Sequence, residues 1–93
     1  MARRLFTVED RFSIKGRGLV PVPGIVPQGA ERFRVGDPIM IRRPDGSCLG
    51  STIAGIEMVH ASPPRPKNEI VIVLKDLSKE DVPIGSEIWS TDA

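Results

Sequence analysis

Residues 6–18 read Phe6-Thr7-Val8-Glu9-Asp10-Arg11-Phe12-Ser13-Ile14-Lys15-Gly16-Arg17-Gly18. Phe6, Val8, Phe12 and Ile14 share one parity, interrupted only at Asp10. A two-residue period is the mark of a strand with one buried face, so the spacing predicts a strand over residues 7–14. Gly16 and Gly18 then permit a sharp reversal or a bulge, because glycine adopts dihedral angles that other residues avoid. Residues 19–26 resume an extended pattern. Pro21 and Pro23 lack the N–H that a sheet ladder uses, which predicts an edge strand or an irregular one.

Outward from this stretch the chain keeps the same character. Residues 28–36 are polar and read as a connection. Ile39-Met40-Ile41 is a short strand, and Arg43-Pro44-Asp45-Gly46 fits a type I turn, with Pro second and Gly fourth. Residues 47–60 form a longer strand region with Gly50 and Gly55 as bends. Pro63, Pro64 and Pro66 mark an exposed loop. Ile70-Val71-Ile72-Val73-Leu74 is a continuous β-branched run, as expected for a strand buried on both faces. Ser78-Lys79-Glu80-Asp81 reads as one capped helical turn, and Glu87-Ile88-Trp89 as a last strand. No amphipathic helix of three turns is present and no repeat is visible. Six or so short strands punctuated by Gly and Pro predict a small all-β barrel or sandwich in one domain, residues 1–93.

Composition narrows the function classes. The 93 residues carry 13 Lys and Arg against 12 Asp and Glu, a net charge of +1, which argues against a domain held on nucleic acid by bulk charge. The length holds neither a P-loop GTPase nor a Rossmann enzyme, whose sheets need several βα units. Phe6, Phe12, Phe33 and Trp89 are the aromatic residues, so the core is aliphatic. Cys48 is the single cysteine, which excludes an intramolecular disulfide and fits a reducing compartment. No apolar run reaches the roughly 18 residues of a membrane span, and polar residues follow the basic start where a signal peptide needs an apolar stretch. A cytoplasmic location without membrane contact is the expectation.

Sites for catalysis are sparse. One His and one Cys cannot assemble a zinc set, and no cofactor motif is present. Cys48 with His60 is the one conceivable nucleophile pair. Glu9 and Asp10 are neighbours, which a strand directs to opposite faces. Gly16-Arg17-Gly18 lacks the Gly-Lys-Ser/Thr of a phosphate loop, and Pro63-Pro64-Arg65-Pro66 meets a minimal proline-groove pattern. Charge is uneven: residues 1–50 hold nine bases against five acids, and residues 51–93 hold four against seven. Arg3, Arg4, Arg11, Lys15 and Arg17, if clustered, suit an RNA backbone or an acidic partner.

Residues 6–18 also resemble the opening of the second domain of Tu-type translation elongation factors. Later landmarks follow in the same order: Val35-Gly36-Asp37, Ser51-Thr52-Ile53-Ala54-Gly55-Ile56-Glu57-Met58, Ile72-Val73-Leu74-Lys75-Asp76-Leu77 and Ile84-Gly85. The resemblance covers residues 5–90. It implies a closed six-stranded Greek-key β-barrel. It also implies a groove in which Glu9, Asp10 and Phe12 lie toward the amino acid of a charged tRNA, and Glu57 packs by the terminal adenine. His60 stands where those factors have an Arg, and so lacks a fixed charge near neutral pH. These 93 residues hold neither the GTPase domain nor the third barrel of such factors, so tRNA or rRNA contact through this domain alone is expected to be weak. The expected function is a noncatalytic binding or accessory module. Its site residues are Glu9, Asp10, Phe12, Glu57 and His60, with Arg11, Lys15 and Arg17 as contacts for RNA or an acidic partner. A translation-related protein partner is favoured, since stacking platforms for RNA are scarce. A small enzyme using Cys48 or the Glu9/Asp10 region, and a structural subunit of a larger assembly, are the alternatives. The oligomeric state stays open.

Overall fold

The computed structural model describes residues 2–29, 31–58 and 69–91. It contains seven strands: β1 (Arg4–Thr7), β2 (Asp10–Ile14), β3 (Gly18–Val22), β4 (Pro38–Arg42), β5 (Cys48–Met58), β6 (Ile70–Leu74) and β7 (Glu87–Ser90). They form one antiparallel sheet in the order β1-β7-β4-β5-β6-β3-β2, curled into a half-barrel. Among the described residues the only helical element is the 3-10 turn Lys79–Asp81, and no helix is long and apolar enough to cross a membrane. The proline-rich loop expected over residues 61–67 lies outside the described residues.

β5 carries the curl. Its first half, from Cys48 to Thr52, pairs with β4, and its second half, from Ile53 to Met58, pairs with β6. The register slips between Ile53 and Gly55, a bulge that turns the strand from one set of partners to the other. Gly55 is therefore a bend, as its position predicts. Gly50 is not, and pairs in register with Met40. The Arg43–Gly46 turn forms as expected, with the Gly46 N–H donating to the Arg43 carbonyl at 2.9 Å.

The single strand expected over residues 7–14 is instead two. β1 pairs with β7 at one end of the sheet and β2 pairs with β3 at the other. Between them the Val8 N–H donates to Ser86 at 2.7 Å and the Glu9 N–H to Val22 at 2.9 Å. The chain thus changes partner within two residues. A register shift between Arg4 and Phe6 lets Leu5 and Phe6 both be buried. The apolar parity does continue into β2, but on the outer face: Phe12 is 51% and Ile14 39% exposed.

β3 is also not an edge strand, since it lies between β2 and β6. Its irregularity is real. Leu19 pairs with Leu74, and the contact resumes only at Ile25 and Ile70, because Pro21 and Pro23 have no N–H to give. Gly18 and Gly24 bracket this seam with φ of +135° and +119°, and a Cβ on Gly24 would sit 2.7 Å from the Ile70 carbonyl oxygen. Only glycine lets the backbones approach so closely.

β6 is buried on both faces, as its sequence predicts. Ile72 and Leu74 join Leu19, Ile25, Ile41, Ile53 and Ile88 in the main core inside the curl. Val71 and Val73 join Val20 in a second cluster on the outer face, with Val22 packed against it. The Ser78 turn closes through Asp81, whose carboxylate accepts from the Ser78 N–H at 2.8 Å and its hydroxyl at 3.1 Å.

The polar connection is anchored by Glu31. Its carboxylate accepts from Arg3 Nε at 2.7 Å and Nη2 at 2.5 Å, and from the Gln28 N–H at 2.8 Å. The Arg3 hydrogen bond, then that of Gln28, lowers the Glu31 carboxyl from an ordinary 4.5 to about 2. A depressed folded-state value contributes stability above the unfolded value, and that contribution disappears as pH falls from 4.5 toward 2. Glu31→Gln is therefore expected to flatten the fall of unfolding free energy across this window in denaturant melts. An unchanged slope contradicts the assignment.

Candidate binding site on the outer face of the sheet

Residues opposed in neighbouring antiparallel strands share a face. Phe12 opposes Val20 and Asp10 opposes Val22 across β2–β3. Gly55 opposes Val73 and Glu57 opposes Val71 across β5–β6. With Val20, Val71 and Val73 clustered between them, these pairs form one surface four strands wide. Its centre is apolar and largely covered, the three valines being at most 8% exposed. Phe12, paired with Val20, stands exposed beside it, and Asp10 and Glu57 lie at opposite margins.

Arg17 completes the surface from the β2–β3 hairpin. The Ile14 carbonyl accepts from the Arg17 N–H at 3.0 Å, which closes the turn. Its guanidinium reaches back across the sheet, Nη2 lying 2.6 Å from Glu57 Oε1. Gly55 provides the passage. A Cβ there would stand 3.3 Å from Val73 Cβ and 3.9 Å from Arg17 Nη2. Both ion-pair partners stay about half exposed, so the link orients side chains more than it stabilises the fold.

The structure thus brings Asp10, Phe12, Arg17 and Glu57 to one surface. Glu9 sits at the kink beside it, exposed. The Asp10 carboxylate accepts from the Arg11 N–H at 2.8 Å. Arg11 departs from the group, its Nε donating to the Lys79 carbonyl at 3.4 Å. Lys15 is exposed in the hairpin turn. His60 lies outside the described residues. The valine cluster, Gly55 and the Arg17–Glu57 link are the parts that sequence reasoning missed. The β-branched run at residues 70–74 was the available signal for the valines.

The five N-terminal cations do not form a single basic patch. Arg3 pairs with Glu31, Arg4 with Glu87 at 3.3 Å, and Arg17 with Glu57. The acids of the second half of the chain neutralise two of them directly. Cys48 is exposed at the start of β5, with Sγ 4.0 Å from the Gly46 carbonyl oxygen. Among the described residues no three His, Cys, Asp or Glu side chains converge as metal ligands. Elsewhere, a cleft of about 260 Å³ is lined by residues including Leu5, Phe33, Asp37, Ile53 and Thr91, none of them expected from the sequence as a site residue.

No protein family's sequence profile matches the chain, and no solved structure matches it.

Proposed function

We propose that this chain is a noncatalytic binding module of the translation-factor second-domain kind. It engages a translation component, or a protein that recognises elongation factors, through the outer face of β2, β3, β6 and β5. The observation that carries this reading is the exposed Phe12 beside the Val20–Val71–Val73 cluster, framed by Asp10 and by Glu57 held to Arg17. An exposed aromatic beside an apolar floor with a charged rim is the pattern of an interface anchor. Glu9, Asp10 and Glu57 against Arg17 leave the surface acidic, which suits a protein with an apolar residue and basic neighbours better than a phosphate backbone. His60, which follows β5, is assigned to the same partner contact. Lys15, exposed in the hairpin turn, supplies flanking positive charge.

The same reading makes the fold a closed six-stranded Greek-key barrel. Val8 and Glu9 join β1 to β2, so residues 4–14 count as one bent strand shared by the two ends of the sheet, as β5 is shared in its middle.

The salt dependence of binding to the partner tests the class of ligand. A protein partner held by Phe12 keeps most of its affinity over a tenfold rise in salt, and Phe12→Ala weakens it by about 2 kcal/mol, roughly 30-fold. A steep linear loss of log affinity with log salt, reduced by Arg11→Ala with Arg17→Ala, identifies RNA instead.

A further inference from the structure

β2 ends the sheet, and past the kink at Val8 and Glu9 no strand among the described residues pairs along its outer edge. The 3-10 turn Lys79–Asp81 does pack against the strand, and its Lys79 carbonyl accepts from Arg11 Nε. Among the described residues no backbone bond from elsewhere reaches Arg11 or Ser13. Arg11 opposes Pro21, which has no N–H, so this pair does not exchange ladder bonds. By the alternation of an antiparallel ladder, the N–H and C=O groups of Arg11 and Ser13 point outward. The Arg11 N–H, which a flanking strand would take, is held by the neighbouring Asp10 carboxylate. Phe12 and Ile14 are exposed on the same strand, which carries no proline; its charged residues, Asp10 and Arg11, stand at one end and leave Phe12 to Ile14 without a charge.

We propose that a second copy of this chain pairs antiparallel along β2, about a two-fold axis at Phe12. Register argues for a second copy. Centred on Phe12, the pairing sets Arg11 of one copy against Ser13 of the other, twice, and each such pair exchanges two backbone bonds. It sets Phe12 against Phe12 at a position without ladder bonds, where side chains approach most closely. It sets Asp10 against Ile14, so no like charges oppose within the strand. At each end Glu9 of one copy meets Lys15 of the other. A shift of the axis by one residue in either direction loses the Phe12 pair and both of these charge matches. The surface is self-complementary, as a two-fold interface requires.

Sedimentation equilibrium of the purified chain over a range of concentrations tests this, with no partner present, so its failure leaves the partner reading standing. The expected result is a reversible monomer–dimer equilibrium. Glu9→Lys and Lys15→Glu each place like charges at both ends and weaken the dimer by about tenfold or more. The double variant Glu9→Lys with Lys15→Glu restores it. Both side chains are exposed, and circular dichroism checks that each variant stays folded. A monomer at every concentration, assembly beyond a dimer, or a double variant no better than the singles overturns the proposal.

Discussion

Gly18→Ala is expected to destabilise the fold by about 4 kcal/mol or more, a loss reserved for backbone strain or a clash that the structure cannot relieve. Gly18 has both. Its φ is +135°, and a Cβ would press onto the Leu74 carbonyl oxygen, where β3 meets β6. The clash is with backbone, so no rotamer change removes it. Gly16 provides the control two residues away. Its φ is +80°, but nothing lies within 4 Å of its Cβ position, so Gly16→Ala is expected to cost only the left-handed strain of about 1–2 kcal/mol. Urea melts of the two variants separate close approach from strain. Equal losses would remove the β3–β6 seam from the account. For a chain of this length, whose whole stability is about 5–14 kcal/mol, the Gly18 change alone approaches unfolding.

The second large effect belongs to Ile72. It is fully buried at the centre of β6, packed with Leu19, Ile53, Leu74 and Ile88 inside the curl. Ile72→Ala removes its methyl and methylene contacts and leaves a cavity between sheet faces that cannot collapse without separating the strands. The expected cost is about 2–5 kcal/mol. Ile84, 56% exposed on the way into β7, gives the contrast: Ile84→Ala is expected to stay within about 0.5 kcal/mol. Chemical denaturation with an unchanged slope of free energy against denaturant checks both. A loss for Ile72→Ala no larger than that for Ile84→Ala contradicts the placement of the core.

What was legible in the sequence was local. The run at residues 70–74 announces a strand buried twice over because both parities are apolar. Pro44 and Gly46 announce their turn because each supplies a dihedral that the turn needs. Gly55 announces a bend. The chain from residue 6 to 14 was less legible, and for a physical reason. A two-residue period says which side chains share a face, but not which face is inward. Nor does it show that Val8 and Glu9 leave one neighbour for another, since those bonds go to Ser86 and Val22. Pro21 in β3 and Pro23 just beyond it revealed missing donors but not the side they face. Their missing bonds fall at the seam with β6, so β3 lies inside the sheet while looking like an edge.

The candidate site divides in the same way. Glu9, Asp10 and Phe12 are close in sequence, and their proximity needs no fold. Glu57 joins them only because β5, β6, β3 and β2 stand side by side in that order. Arg17 reaches it only because the hairpin turn and the bare backbone of Gly55 leave a path across Val73. Whether the five N-terminal cations cluster was open in the sequence; in the fold Arg3, Arg4 and Arg17 pair with separate carboxylates.

That the outer face of this sheet is a protein-binding surface is tested most directly by affinity capture from the native cell, comparing the wild-type chain with Phe12→Asp. Circular dichroism of both confirms the fold. The account predicts that the wild-type chain retains a translation component, or a protein that recognises elongation factors, and that Phe12→Asp loses it. Retention of the same protein by both chains, or enrichment of unrelated metabolic enzymes alone, would contradict it.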